Sequence, residues 1–340
     1  MSTLPLPLEL VSEIINCLPA NDAIACVRMS KKMMYDACRS DFGYHVQKPV
    51  AIHDIFDVEK DYIKCPNVIG NFVFFIVQSM DELSLLPKST KKIIFHDDFD
   101  EKVDCQLICF KQLTHVTFGR LFDQSVDSLE LPCSLVYLKF GHFFNEPIEK
   151  LKLPDSLIHL EFGQWFNKPV DHLTSPSLTH LIFGNSFNYP VFTAKNNSKL
   201  PSLTHLTIGV CFSKHSIDNL NFHFCGSLKH LTFIGWFNKT VDNLKLPHSL
   251  THLTFAHWFD QPVDNLKLPN SLTHLAFGYT FNQSVDNLKL PQLLKYLDFG
   301  SSFNQPVDNL KLPASIEYLD FGSSFKQSAL NIKLQFLCYS

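Results

Sequence analysis

Hydrophobic residues recur along positions 95–340 with a period of about 22 residues. Within one such period, Leu253 and Phe255 alternate with polar neighbours, and Leu266 and Leu268 alternate in the same way. Neither a helical period nor a heptad fits this spacing, whereas alternation over a few residues is typical of short strands. The pattern therefore predicts two short strands per turn of a solenoid, in which each turn packs on its neighbours.

One phenylalanine marks each turn of the predicted solenoid. The series is Phe99, Phe122, Phe144, Phe166, Phe187, Phe212, Phe237, Phe259, Phe281, Phe303 and Phe325. The whole chain holds 32 phenylalanines, and we expect them to fill the interior. Glycine follows the first predicted strand and proline the second. We expect both at corners, because glycine adopts unusual dihedral angles and proline cannot donate to a strand ladder.

The first forty residues follow a different pattern. Leu10, Ile14 and Leu18 are spaced by four, which predicts one apolar helix face, and Pro19 ends that helix. Capping residues further along predict a second and a third short helix within residues 1–40. Three short helices bury little surface by themselves, so we expect the segment to pack on a partner or on the next domain.

This segment resembles an F-box in its order of Leu-Pro, Glu-Leu and spaced aliphatic residues. The matching residues are Leu6-Pro7, Glu9-Leu10, Ile14, Leu18-Pro19, Asp22 and Val27. The resemblance implies docking on a Skp-type adaptor protein through an apolar patch. That patch would consist of Leu6, Pro7, Leu10, Ile14, Leu18 and Pro19. In the alternative interpretation, the same residues only cap the first turns of the solenoid.

The repeats resemble FNIP repeats. The motif reads FNEPIEKL at 144–151, FNKPVDHL at 166–173 and FNQPVDNL at 303–310. An F-box ahead of FNIP repeats resembles proteins of giant viruses of amoebae and of social amoebae. The resemblance implies an α+β fold, with a three-helix F-box at 1–40 followed by a leucine-rich-repeat-like β-solenoid of about ten to eleven 22-residue turns at 91–340.

That resemblance also implies a function. The chain would be the substrate-recognition adaptor of an SCF-type cullin-RING ubiquitin ligase, with the repeats holding an unknown target protein. Its location would be the cytoplasm, or the host cytoplasm if the protein is viral. The alternative function is a repeat scaffold that binds protein or glycan independently of ubiquitin.

Residues 41–90 read as a connector with degenerate first turns. The stretches 50–56, 71–77 and 91–95 are strand-like in composition. The stretch 80–87, MDELSLLP, keeps the Leu-x-Leu-Pro ending of a turn. No glycine-, serine- or proline-rich run interrupts the segment, so we do not expect a flexible linker.

Outward residues at equivalent positions should stack in columns at strand spacing. The first column holds seven histidines, which we expect to form a stacked, hydrogen-bonded ladder that contacts the target. They are His115, His159, His180, His205, His230, His252 and His274, with Tyr137, Tyr296 and Tyr318 at the same position. We expect no metal there, because zinc needs three or four ligands that converge on one point.

Two further columns lie beside the first. The column two residues along runs from Thr117 to Asp320, and its residue types differ from turn to turn. Such variation is expected of a binding face, and equally of a solvent-exposed strand whose sequence is not constrained. The other column holds all three tryptophans, Trp165, Trp236 and Trp258. They are either anchors for the target or covers for the corner of each turn. Adjacent turns would place Trp236 against Trp258.

Two polar rows belong to the turns, where Asp and Asn side chains bind backbone amides. The aspartates are Asp127, Asp171, Asp218, Asp242, Asp264, Asp286 and Asp308. The asparagines are Asn145, Asn167, Asn188, Asn238, Asn282 and Asn304.

Composition narrows the function further. A net charge of −4 leaves no basic footprint for nucleic acid. No stretch reaches 18 consecutive apolar residues and no signal-like start occurs, so we expect a soluble, unsecreted protein. The ten cysteines have irregular spacing without a CxxC pair, which favours reduced thiols. Phosphate-loop, HExxH and GxSxG motifs are missing from the sequence, so we expect neither enzymatic activity nor a cofactor.

Overall fold

The computed structural model describes residues 50–51, 75–189, 191, 200–209, 222 and 225–329. The predicted F-box at 1–40 lies outside these residues, and so does its proposed adaptor patch of Leu6, Pro7, Leu10, Ile14, Leu18 and Pro19. The chain divides into two compact units. The first comprises Met1–Phe144 with Lys150–Ser156, and the second comprises Asn145–Glu149 with Leu157–Ser340.

The described part of the first unit is a parallel sheet whose strands follow chain order. The elements are β1 (Val50–Ala51), β2 (Phe75–Val77), α1 (Met80–Leu85), β3 (Lys92–Phe95), a 3₁₀ helix (Gln106–Cys109), β4 (His115–Thr117) and β5 (Tyr137–Lys139). Each strand pairs with the next one along the chain. Strands β1, β2 and β3 fall within the three stretches that the sequence marks as strand-like.

Residues 80–87 contain a helix that the sequence did not predict, α1, and they still end as other turns do, because the backbone N–H of Thr90 donates to the carbonyl of Pro87 at 3.0 Å. The Ser79 hydroxyl caps the helix by accepting a hydrogen bond from the backbone N–H of Glu82 at 3.3 Å. Asp81 and Glu82 add negative charge to the first turn, where the helix dipole favours it. Leu83 is buried, so the short helix also anchors itself by packing.

The second unit is a longer parallel sheet of the same kind. Its strands are β6 (His159–Glu161), β7 (His180–Ile182), β8 (His205–Gly209), β9 (His230–Ile234), β10 (His252–Thr254), β11 (His274–Ala276), β12 (Tyr296–Asp298) and β13 (Tyr318–Asp320). The register pairs equivalent residues, so that His252 lies between His230 and His274. Each unit is therefore a parallel β-solenoid, as the 22-residue period predicts.

In the turns that the structure describes, no strand is assigned at the second predicted position, and a tight turn precedes it. Between Phe255 and Thr273 the structure assigns no strand. The backbone N–H of Leu266 instead donates to the carbonyl of Val263 at 3.0 Å. The same three-residue closure joins Leu288 to Val285 and recurs in other described turns. The alternating leucines reflect burial on the inner side of a turn, which periodicity alone does not distinguish from a strand.

Phenylalanines fill the interior, as expected. Within one turn, the rings of Phe277 and Phe281 lie 4.2 Å apart. Between turns, Phe277 stacks on Phe255 at 5.6 Å and Phe281 stacks on Phe259 at 6.0 Å. These four side chains are buried. Two parallel columns of rings thus form the core beneath strands β10 and β11.

The corner glycines have two explanations, and the unusual dihedral angles that the sequence suggested account for Gly300 and Gly322. Among the described glycines, positive φ angles occur at Gly235, Gly300 and Gly322 alone. At Gly278 the constraint is space, because an added Cβ would overlap the carbonyl oxygen of Ala256 in the preceding turn. Close approach between turns is therefore a separate reason for glycine at this corner.

Candidate binding face

The histidine column of the second unit is a continuous stack, which confirms the predicted ladder. Each ring occupies the first position of its strand and is half-buried, while the following leucine points into the core. From His180 to His274, neighbouring ring centroids lie 4.0–4.1 Å apart. At the ends of this stack, His159 and Tyr296 add rings at 5.6 Å. His115 belongs to the first unit, where it stacks on Tyr137 at 5.5 Å.

Threonine hydroxyls hold these imidazoles from one side. In five turns a threonine precedes the histidine and its Oγ1 lies 2.8–2.9 Å from the histidine Nδ1. The pairs are Thr114–His115, Thr179–His180, Thr204–His205, Thr251–His252 and Thr273–His274. The repeated dipeptide Thr-His was the sequence signal for this contact, and our sequence interpretation did not use it.

Burial and neighbouring charges lower the pKa of four ladder histidines, which keeps these four uncharged at neutral pH. Burial first, and then the charges of His180, His230 and Lys229, lower the pKa of His205 to about 4. Burial and the flanking histidines likewise lower the pKa of His252 to about 4. The pKa values of His180 and His230 are also lowered, again mainly by burial. The second unit therefore presents neutral imidazoles in a row.

The parallel rings do not form a chelating cluster. Among the described residues, no three histidine, cysteine, aspartate or glutamate side chains are grouped so that they could hold a metal ion. Stacked rings direct their nitrogens along parallel lines, whereas zinc ligands converge.

The second outward column divides the second unit by charge. Glu161 lies on β6, and Asp298 and Asp320 lie on β12 and β13. The strands between them carry Ile182, Thr207, Thr232, Thr254 and Ala276 at the same position. Asp298 and Asp320 are partly engaged, because each accepts the backbone N–H of a nearby glycine, at 2.8 and 2.7 Å. The central strands thus form a surface without carboxylates between two acidic ends.

Exposed aromatic side chains follow strands β9–β11. Trp236 is 48% exposed and Trp258 is 43% exposed, and their rings stack at 5.0 Å, as predicted. Two residues that the sequence interpretation missed join them: His257 stacks on Tyr279 at 4.8 Å and contacts Trp258 edge to face at 5.0 Å. We call these four residues the aromatic patch. Their exposure favours the anchor interpretation over the corner-cover interpretation.

Trp165 belongs to the same column and is 56% exposed.

The asparagine row has the predicted role in the turns. Asn282 Oδ1 accepts the backbone N–H of Asn304 at 2.9 Å, and Asn304 Oδ1 accepts that of Lys326 at 2.8 Å. The bond therefore links each turn to the next. Asp260 substitutes for asparagine in this row and accepts from the N–H of Asn282 at 2.9 Å. In the aspartate row, Asp127 instead pairs with Lys150 Nζ at 2.7 Å.

The cysteines that the structure describes are free thiols, as expected from their spacing. Cys105, Cys109 and Cys133 are exposed, and Cys225 is buried. Burial raises the pKa of Cys225 to about 11, which keeps it protonated and unreactive. In the part of the chain that the structure describes, no helix has the length and apolar character to cross a membrane.

Comparison with known proteins identifies the repeat. The family model of the FNIP repeat matches residues 144–174, 259–302 and 303–332. The chain contains FNIP repeats. The matched residues include Asn282, Asn304, Phe277 and Phe281, so the FNIP motif contributes both to the core and to the links between turns. No curated protein gives a significant match.

Two solved structures are similar to this chain. CroV588, described as a novel circular leucine-rich-repeat (LRR) protein, is 36% identical over 77% of this chain, with a TM-score of 0.57. The chain spans 41% of the length of CroV588. The internalin InlF of Listeria monocytogenes is 15% identical, with coverage of 82% of this chain and 86% of InlF and a TM-score of 0.47. The likeness to CroV588 confirms an LRR-like solenoid.

Proposed function

We propose that this FNIP-repeat protein binds a target protein through the second unit, using the histidine ladder of β6–β11 and the aromatic patch. The observation that carries the proposal is the exposure of Trp236 and Trp258 at 48% and 43%, in the turns whose strands also carry a half-buried stack of imidazoles. Large exposed aromatic side chains are common anchors in protein interfaces, and clustered ones rarely remain uncovered. Within the second unit, Trp165 would extend the contact, and His115 in the first unit stays a predicted target contact of its own.

We further propose that the chain is the substrate receptor of an SCF-type cullin-RING ubiquitin ligase. The support is the resemblance of residues 1–40 to an F-box, whose apolar residues would dock on a Skp-type adaptor. The repeats would then hold the target within reach of the ligase. The chain itself would perform no chemistry, in keeping with an LRR-like scaffold.

Co-purification of the full chain with a Skp-type adaptor, followed by size exclusion, tests this assignment. We expect a stable complex that Leu10→Asp with Ile14→Asp abolishes, because two carboxylates would enter an apolar contact. Trp236→Ala with Trp258→Ala is the matched control and should leave the adaptor complex intact. A folded monomer that never binds the adaptor would rule out the ligase role and leave a repeat scaffold.

Target capture tests the binding face separately. Photocrosslinkers placed at Trp236 and Trp258 should trap a partner protein in cells, whereas one placed at the exposed Leu293 should not. Equal trapping at the three positions would contradict a specific face.

A further inference from the structure

The hydrogen bonds around the ladder fix the position of the imidazole proton. The carbonyl of Lys229 already accepts two backbone N–H groups, from Thr251 and His252, both at 2.9 Å. A carbonyl oxygen has two lone pairs, so the Thr251 hydroxyl has a better acceptor in His252 Nδ1 at 2.8 Å. The proton of the neutral imidazole is then on Nε2, the nitrogen farther from the backbone.

The same arrangement recurs along the stack. The carbonyl of Thr251 accepts the N–H groups of Thr273 and His274 at 2.9 and 3.0 Å, and the Thr273 hydroxyl lies 2.8 Å from His274 Nδ1. His180 and His205 have equivalent contacts with Thr179 and Thr204. Four imidazoles of the second unit therefore present Nε2–H donors at strand spacing.

Charge makes the same face selective. At their outward positions, strands β7–β11 carry five histidines and no carboxylate. Lys229 precedes His230 at the centre of this face and adds a positive charge. Neighbouring rungs are about 4.8 Å apart, so five imidazoles span about 19 Å, the length of roughly six residues of extended chain.

We propose that strands β7–β11 bind an acidic, extended polypeptide segment, which accepts hydrogen bonds from the imidazole Nε2–H groups and pairs with Lys229, and that binding is coupled to proton uptake. This proposal rests on the proposed function, because it names the chemistry of the target. Carboxylates facing the ladder would favour the charged imidazolium form. The threonine hydroxyls can accommodate that proton, since each also lies 3.0–3.3 Å from a backbone carbonyl to which it can donate.

The groups that face the ladder set the direction of this coupling. Lys229 and the neighbouring imidazoles oppose protonation of the free face. Glu161 lies at one end, with Oε2 3.9 Å from His159 Nε2. Asp298 and Asp320 lie at the other end. The strands that carry them also follow Lys295 and Glu317, which form an ion pair with 2.7 Å between Lys295 Nζ and Glu317 Oε1. An acidic ligand on the central strands would reverse the local balance of charge without displacing these end groups.

The test is the affinity of the full chain for a labelled polyglutamate peptide of about twelve residues, measured by fluorescence polarisation at pH 7.5 and 6.0. We expect polyglutamate to bind in preference to polylysine of the same length. For each proton taken up, its affinity should rise about tenfold per pH unit. Preference for polylysine, or an affinity that does not change with pH, would overturn the proposal.

Variants localise the effect. His205→Gln with His252→Gln keeps two N–H donors but cannot take up a proton, so we expect the pH dependence of polyglutamate affinity to shrink. Lys229→Gln leaves the stack intact and should weaken binding at both pH values. His248→Gln changes an exposed histidine outside the strands and should alter neither quantity. If the three variants bound polyglutamate with the same affinity and the same pH dependence, binding on β7–β11 would be contradicted.

The outcomes separate this proposal from the proposed function. If a partner is trapped at Trp236 and Trp258 but polyglutamate does not bind, the receptor role survives and the acidic class of target is wrong. If polyglutamate binds as described and no adaptor complex forms, the ligase role is wrong and the acidic face remains.

Discussion

Two sets of stacked rings occupy the second unit, one of buried phenylalanines and one of half-exposed histidines. The phenylalanines contact each other within a turn, as Phe277 and Phe281 do at 4.2 Å, and between turns at 5.6–6.0 Å. The histidines contact each other only between strands, at 4.0–4.1 Å from His180 to His274. One repeat period thus builds a core whose contacts extend in two directions and a surface whose contacts extend in one. The core should dominate stability, and the surface should dominate the response to pH.

The largest expected effect comes from breaking the inner columns. Phe281→Ala removes a fully buried ring that stacks on Phe277, Phe259 and Phe303. We expect a loss of about 3–5 kcal/mol in the free energy of unfolding, because transfer and cavity costs add. Urea denaturation followed by circular dichroism measures the loss.

Phe325→Ala is the matched control for that substitution. Phe325 occupies the same repeat position but is only half-buried, with contacts to Phe321 at 4.4 Å and Phe303 at 6.0 Å. Its loss should cost clearly less. Equal costs at the two positions would mean that burial does not govern the column.

The next effect comes from the spacing between turns. Gly278→Ala would place a Cβ against the carbonyl oxygen of Ala256, which is backbone and cannot move aside as a flexible side chain would. We expect a loss of about 1–3 kcal/mol, typical of an overpacked site. Gly226→Ala is the control, since an added Cβ there meets nothing within 4 Å. A neutral Gly278→Ala in the same denaturation experiment would show that the turns can separate at low cost.

These positions show what the sequence could and could not predict. The period correctly placed Leu253 on a strand and both Leu253 and Phe255 in the core, although the strand ends one residue before Phe255, because side-chain alternation and burial are both visible in the sequence. It failed at Leu266, where burial inside a tight turn produces the same alternation as a strand. Glycine at position 278 was expected at a corner, but the sequence did not show why glycine is required there. The reason is the close approach of Ala256, which lies 22 positions earlier in the chain.

The candidate site was predicted in a similar, incomplete way. Equivalent positions implied the histidine stack, and the tryptophan column implied that Trp236 would contact Trp258. The sequence interpretation did not predict the hydroxyl contacts of Thr251 and Thr273, because it compared equivalent positions between turns and did not consider the residue before each histidine. Nor did it find His257 and Tyr279, which depart from the repeat consensus and become significant only beside the tryptophans.

A smaller effect should follow from cutting one link between turns. Asn282→Ala removes the Oδ1 that accepts the N–H of Asn304 at 2.9 Å. It also removes an acceptor for Gln305 Nε2 at 3.2 Å. We expect a loss of about 1–2 kcal/mol in unfolding free energy, the cost of leaving a partly buried donor unsatisfied.

Asn282→Asp gives the control for this link, because Asp260 performs the same role one turn earlier at 2.9 Å. The carboxylate keeps the acceptor, so stability near pH 7 should change little. If both substitutions cost the same, the hydrogen bond to Asn304 is not what holds the turns.

The smallest expected effect on stability is the most specific to the outer ladder. The pKa of His205 and of His252 is about 4 in the folded chain, against 6.5 for an ordinary histidine. Between these values the unfolded chain binds more protons than the folded chain, so stability is complete above pH 6.5 and is lost as pH falls toward 4. Discounted for solvent screening, the two sites together contribute on the order of 1–2 kcal/mol. Tm should therefore fall by about 1–3 °C between pH 7.5 and 5.0.

Removing the titrating groups isolates their share of this acid sensitivity. In His205→Gln with His252→Gln, the drop in Tm between pH 7.5 and 5.0 should shrink, because glutamine takes up no proton. His248→Gln, which changes an exposed histidine outside the strands, should keep the full drop. The core phenylalanines carry no titratable group, so Phe325→Ala should lower Tm equally at both pH values. If the double histidine variant showed the same drop in Tm as the unchanged chain, the acid sensitivity would come from other residues. The histidine stack would then not differ from the phenylalanine core in its response to pH.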